Sequence, residues 1–172
     1  MEDLVELSDQ IDKQIIKSRL NAIALLTMVD RTKRVESIAE ALRALGTGAY
    51  LLGTGPSTCG IYPLSVDEVI LGRPATPAEE APDVAVDFLV ADAVYFKPQE
   101  VSRAHAKIVR RESDGNVRYL VFDLNSTCGT SVNGQIAGGS ANGRVLTSGD
   151  TISLGSGNVS TYVFFEKRQA ED

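Results

Sequence analysis

Apolar positions recur along the first quarter of the chain at spacings of three, four or seven: Leu4, Leu7, Ile11, Ile15, Ala22, Leu25 and Val29, with charged residues between them. That period places one apolar stripe along a helix, so residues 3–29 are predicted as an amphipathic helix. Val35, Ile38, Leu42 and Leu45 make a second stripe that stops at Gly46, a residue type that ends helices readily. The short connection at 30–33 joins the two, which predicts an α-helical hairpin over residues 1–46. Such a hairpin either packs on its own domain or serves as an arm for homodimerisation or partner docking.

After Gly48 the period changes. Short runs rich in Val, Ile, Tyr and Phe, divided by glycines, predict strands at 49–52, 60–64, 68–71, 84–90, 94–96, 106–111, 118–123, 151–154 and 160–166. Many short strands separated by turn residues favour a mainly β fold, a β-sandwich over residues 47–172. Ser113-Asp-Gly-Asn116 reads as a hairpin turn, because Asp and Gly tolerate the backbone angles it needs. The Pro-rich stretch 74–82 reads as a loop.

Composition narrows the function classes. With 43% apolar and 23% charged residues the chain has the balance of an ordinary globular protein. No apolar run approaches the roughly 20 residues that span a bilayer, so no membrane insertion is expected. The start Met-Glu-Asp-Leu-Val-Glu lacks a basic, apolar leader, and a cytoplasmic location is expected. Without an export signal, Cys59 and Cys128 are expected as reduced thiols. With a single histidine they offer no zinc-like spacing, so neither metal nor cofactor is expected.

The net charge of −6 argues against general nucleic-acid binding. Its distribution is more informative. Residues 67–92 hold Asp67, Glu68, Glu79, Glu80, Asp83, Asp87 and Asp92 against the single base Arg73, whereas 97–118 hold Lys97, Arg103, Lys107, Arg110, Arg111 and Arg118 against Glu100, Glu112 and Asp114. A basic patch in an acidic chain suggests a specific anionic ligand.

His105, Ser102 and Asp123 supply the residue types of a catalytic triad, but Ser102 is not in a Gly-flanked elbow, and the expectation is no enzyme. The Gly-rich run from Gly53 to Gly60 lacks the lysine of a phosphate loop and leads into a strand pattern, so it is expected to carry no nucleotide.

What remains is a set of motifs in order: Leu71-Gly-Arg73, then Ser102-Arg-Ala-His105, then Ser126-Thr-Cys-Gly-Thr130 with Asn133-Gly134, then Gly149-Asp-Thr-Ile-Ser-Leu-Gly155. Together, on a strand-rich chain, they resemble the forkhead-associated (FHA) domain, a phosphothreonine-binding module, over roughly residues 48–167. The resemblance implies an eleven-stranded β-sandwich that binds ligand through loops at one end. It implies that Arg73 offers its fork of donors to phosphate, that Ser102 donates its hydroxyl, that Arg103 reaches phosphate or peptide backbone, and that Thr127 contacts phosphate. Cys128 stands where the family commonly has a polar residue holding the peptide backbone; a thiol bonds weakly, which shifts that task toward Arg103. Gly72, His105, Gly129, Asn133 and Gly134 are implied as structural supports.

The implied function is that of a signalling adaptor that docks on a threonine-phosphorylated protein downstream of a Ser/Thr kinase. The alternative is a structural or assembly protein that uses the sandwich for phosphate-independent contacts. Residues 74–101 put an unusually long interval between Arg73 and Ser102, and its acidic, Pro-rich part at 74–92 is placed to crowd or cover the site. Thr76 in that interval, once phosphorylated, could occupy the site within the chain or on a neighbour.

Overall fold

The computed structural model describes residues 30–54, 58, 60–90, 99–139, 141–157 and 160–168. The helix predicted at 3–29, the strand predicted at 94–96 and Cys59 lie outside them. Helix α1, Arg31–Ala44, starts earlier than its apolar stripe because Asp30 caps it, accepting the Thr32 N–H at 2.9 Å and the Lys33 N–H at 3.3 Å. Its stripe is not a buried face: Val35 is 56% exposed, and Ile38 and Leu42 are half-buried. The helix is held by its end instead. Lys167 Nζ donates to the carbonyls of Leu42, Arg43 and Leu45 at 3.2, 2.7 and 2.5 Å, satisfying C-terminal acceptors with a cation where the helix dipole favours one.

Among the described residues there are eleven strands: β1 Gly48–Gly53, β2 Gly60–Pro63, β3 Glu68–Gly72, β4 Phe88–Leu89, β5 Ala106–Ser113, β6 Asn116–Asp123, β7 Thr130–Val132, β8 Gln135–Ile136, β9 Arg144–Leu146, β10 Thr151–Leu154 and β11 Ser160–Lys167. They form a six-stranded sheet in the order β2-β1-β11-β10-β7-β8 and a five-stranded sheet in the order β4-β3-β5-β6-β9. The β3–β4 pair is parallel, and the other pairs described are antiparallel. Leu51, Ile152, Tyr162 and Phe164 from one sheet and Leu71, Ile108 and Val121 from the other fill one buried core. The fold is therefore mainly β, a two-sheet sandwich.

The expected strand at 84–90 contracts to two residues. Asp87 Oδ2 accepts the Ile70 N–H at 2.9 Å, and the Asp87 N–H goes to the Ile70 carbonyl, so a side chain replaces part of the ladder. β7, β8 and β9 were not expected, being too short to show alternation.

The register fixes which loops meet. Gly155, just past β10, donates its N–H to the Gly129 carbonyl at 2.9 Å and so joins the β6–β7 loop. The β3–β4 loop and the segment leading into β5 reach the same end. At the other end of β1 and β11, Gly48 pairs with Lys167, which places α1 away from these loops.

Candidate functional site

Three connections build a groove of about 650 Å³ at the loop end, lined by residues that include Arg73, Ser102, Arg103, Lys107, Asn125 and Thr127. Arg73 is the first residue past β3, and its N–H donates to the Ser102 carbonyl at 3.1 Å, which locks the two loops together. This approach depends on Gly72: a Cβ there would lie 1.9 Å from the Arg103 carbonyl oxygen.

Ser102 Oγ accepts the Thr127 N–H at 3.1 Å and lies 3.5 Å from Thr127 Oγ1. Two hydroxyls thus line the same groove as the guanidinium groups, with the Thr127 amide holding Ser102 in place. Lys107, on β5, adds a cation that pairs with Glu68 at 3.0 Å. Such a set of fixed donors suits an anionic ligand.

His105 stands behind these loops, fully buried. Its Nδ1 accepts the Ser102 N–H at 2.9 Å, so Nε2 carries the proton that faces the Gly129 carbonyl at 3.0 Å. With both ring nitrogens committed to backbone, the imidazole is not arranged to take a proton from Ser102 Oγ. Asp123 is likewise occupied elsewhere. Its Oδ1 accepts Ser126 Oγ at 2.6 Å and Thr130 Oγ1 at 2.7 Å, and its Oδ2 accepts the Ser126 N–H at 2.9 Å. Burial alone would push the Asp123 carboxyl up, but these bonds outweigh it and hold the group below the ordinary carboxylate range. The three residue types of a triad are present, and each instead shapes a loop.

The remaining expected residues divide. Gly129 has φ +76° and a carbonyl that takes two donors, His105 Nε2 and the Gly155 N–H. Asn133 and Gly134, with φ 51° and 75°, make the tight β7–β8 turn. The bonds of Asn133, however, run to Asp150 and Thr151 at the start of β10, so it steadies the scaffold from the far end of β7 and not the loops directly. Cys128 is a free thiol, half-buried, and is not among the residues that line the groove.

Among the groove residues that were not foreseen, Glu79 makes the strongest contact. Glu79 grips Arg73 with both carboxylate oxygens, Oε2 to Nη1 at 2.8 Å and Oε1 to Nη2 at 2.6 Å. The Arg73 guanidinium first, then the Thr76 amide, hold the Glu79 carboxyl far below its ordinary range. Arg103 Nη1 donates to the neighbouring Glu80 carbonyl. The 74–82 stretch therefore does cross the site. Its local signal was Thr76-Pro-Ala-Glu79, a turn with Pro at its second position and a Glu that returns to the Thr76 N–H, as in a capping box.

Among the described residues no helix is long and apolar enough to cross a membrane, and no group of three or more His, Cys, Asp or Glu could hold a metal ion.

The family model of the FHA domain matches residues 69–155. The splicing factor Pml1 of yeast, in a structure concerned with its integration into the RES complex, is similar with a TM-score of 0.57 and 19% identity over 77% of this chain and 91% of that one. The FHA domain of the CT664 protein from Chlamydia trachomatis is similar with a TM-score of 0.50 and 18% identity, covering 70% of this chain and 98% of that one. The MEK1 FHA domain, solved in complex with the HOP1 pThr318 peptide, gives a TM-score of 0.50 and 18% identity, covering 72% and 100%. At these identities the likeness is one of fold. No curated protein sequence gives a significant match. The family match covers just over half of the chain and spans the motifs that meet at the loop end, and the chain belongs to the FHA domain family.

Proposed function

We propose that this chain is a non-enzymatic adaptor that binds threonine-phosphorylated protein through the groove, downstream of a Ser/Thr kinase. The observation that carries the reading is the convergence of Arg73, Ser102, Arg103 and Thr127 on one groove from three separate connections. Arg73 would take two phosphate oxygens with its planar fork, and the Ser102 hydroxyl a third. Arg103 serves phosphate or peptide backbone, and Thr127 adds a hydroxyl. Cys128 has the smallest part, reaching at most the peptide backbone beyond the groove. Recognition of a phosphorylated segment by an arginine cluster is an established mode of peptide binding, and a rigid sandwich is a sound support for it.

The test is titration of the full chain with a degenerate phosphothreonine peptide library and with the same library unphosphorylated. Binding of the phosphorylated form alone is expected, and Arg73→Ala should abolish it while leaving the folded structure intact by circular dichroism. Equal binding of both libraries overturns the reading.

Glu79 on Arg73 favours a second reading, an assembly protein whose sandwich engages its partner without phosphate, with residues 1–46 as the docking or dimerisation arm. On that reading, partner binding survives Arg73→Ala and is lost when residues 1–46 are removed.

A further inference from the structure

Thr76 and Arg73 share one oxygen atom. Glu79 Oε2, which receives Arg73 Nη1 at 2.8 Å, also receives the Thr76 N–H at 2.9 Å and the Thr76 Oγ1 hydroxyl at 3.0 Å. Thr76 is exposed, is followed by Pro77, and sits in a turn closed by the Glu79 N–H on the Thr76 carbonyl at 2.9 Å. At the far side of the same segment, Arg103 holds the Glu80 carbonyl. The stretch is therefore pinned across the groove at two points. A phosphoryl group on Thr76 Oγ1 would carry its terminal oxygens into the space that Glu79 Oε2 now fills, against the Arg73 guanidinium.

We propose that residues 74–80 are an internal ligand of the groove: Glu79 holds Arg73 in the unmodified chain, and Thr76 is a phosphorylation site whose phosphate replaces Glu79 on Arg73 and closes the groove to other phosphopeptides. The competition with outside peptides rests on the phosphate-binding reading of the groove, whereas the internal contact stands without it. In the modification step Thr76 Oγ1 attacks the γ-phosphorus of ATP held by a threonine kinase. The bond between that phosphorus and the β,γ-bridging oxygen breaks, ADP leaves, and the hydroxyl proton passes to the kinase's base. Thr76 thereby loses the proton it now gives Glu79 and gains a charge of about −1.5 to −2 at neutral pH. Two anions cannot share that position, and the carboxylate is expelled. Because Thr76 is tethered three residues from Arg73, its phosphate faces the guanidinium at an effective concentration on the order of millimolar, well above that of a dilute free phosphopeptide.

The test uses the full chain in four forms: unmodified, Glu79→Gln, phosphorylated at Thr76 by a proline-directed threonine kinase with ATP, and phosphorylated with Arg73→Ala. Mass spectrometry after kinase treatment should find phosphate on Thr76; an unmodified Thr76 overturns the site. Phosphorus NMR should then give a phosphate titration midpoint below the ordinary value of about 6 that returns to it in the Arg73→Ala form. A midpoint unmoved by Arg73→Ala overturns the capture. Against the phosphothreonine library, Glu79→Gln should bind roughly fivefold tighter than the unmodified chain, and the phosphorylated chain at least about tenfold weaker. Unchanged affinities in a chain that does bind the library overturn the internal competition alone. If no form binds any phosphopeptide while the NMR midpoint still depends on Arg73, the adaptor reading fails and the internal ligand stands.

Discussion

His105 Nδ1 accepts the Ser102 N–H at 2.9 Å while the opposite ring nitrogen faces the Gly129 carbonyl, so one buried side chain fixes the spacing between two groove loops. Removing the ring by His105→Ala takes away the partner of the Ser102 N–H, leaves the Gly129 carbonyl with the Gly155 N–H alone, and opens a buried space between the loops. A loss of about 2–4 kcal/mol in unfolding free energy is expected by urea titration, with phosphopeptide affinity falling as well because Ser102 loses its position. A stable variant would contradict the strut role.

Gly72→Ala should act through geometry alone. Its added methyl meets the Arg103 carbonyl oxygen at 1.9 Å, which must displace the loop that carries Ser102 and Arg103. The change is expected to destabilise by about 1–3 kcal/mol and to weaken phosphopeptide binding more than the chemically larger change Arg103→Ala. Calorimetric melting together with peptide titration separates the two effects.

Asp123 gives the fold an acid-sensitive loop. Its carboxyl is held below the ordinary range in the folded chain, so the stability it contributes is fully present above the unfolded value of about 4 and is lost as pH falls through the lower folded value. Asp123→Asn should lower the melting temperature at neutral pH, and the gap between variant and parent should close as pH falls below the ordinary carboxylate range. A gap constant across that range would disprove the linkage.

Lys167→Met removes the cation that caps α1 while keeping the apolar stem. Hydrogen exchange should accelerate in the last turn of α1 by an amount equivalent to about 1 kcal/mol, with the sandwich core unaffected. Equal acceleration in β1 and β11 would mean that the helix and sandwich unfold as one unit.

The legible parts of the fold were those with enough residues to carry a period. β5, β6 and β11, each eight residues long, fall close to the expected strands, whereas β8, with two, left no alternation to read. The groove was legible where small residues mark it, at Gly72-Arg73, Ser102 through His105, and Thr127. Glu79 was hidden because its importance lies in a contact, and the sequence around it has the composition of a solvated loop. Asp123 was visible only as a candidate acid: its three bonds to Ser126 and Thr130 depend on how the chain bends after β6. Asn133 was recognised as a turn residue, but which strand its side chain would meet depends on sheet order, which local sequence does not encode.

The clasp of Lys167 on α1 turns β11 into a ruler. One end of that strand pairs with Leu154 beside the loop end, and the other holds the helix, seven residues on, a span of roughly 23 Å. The last turn of the helix is thereby kept at the opposite pole from the groove, and a substitution at either end leaves the other's contacts in place.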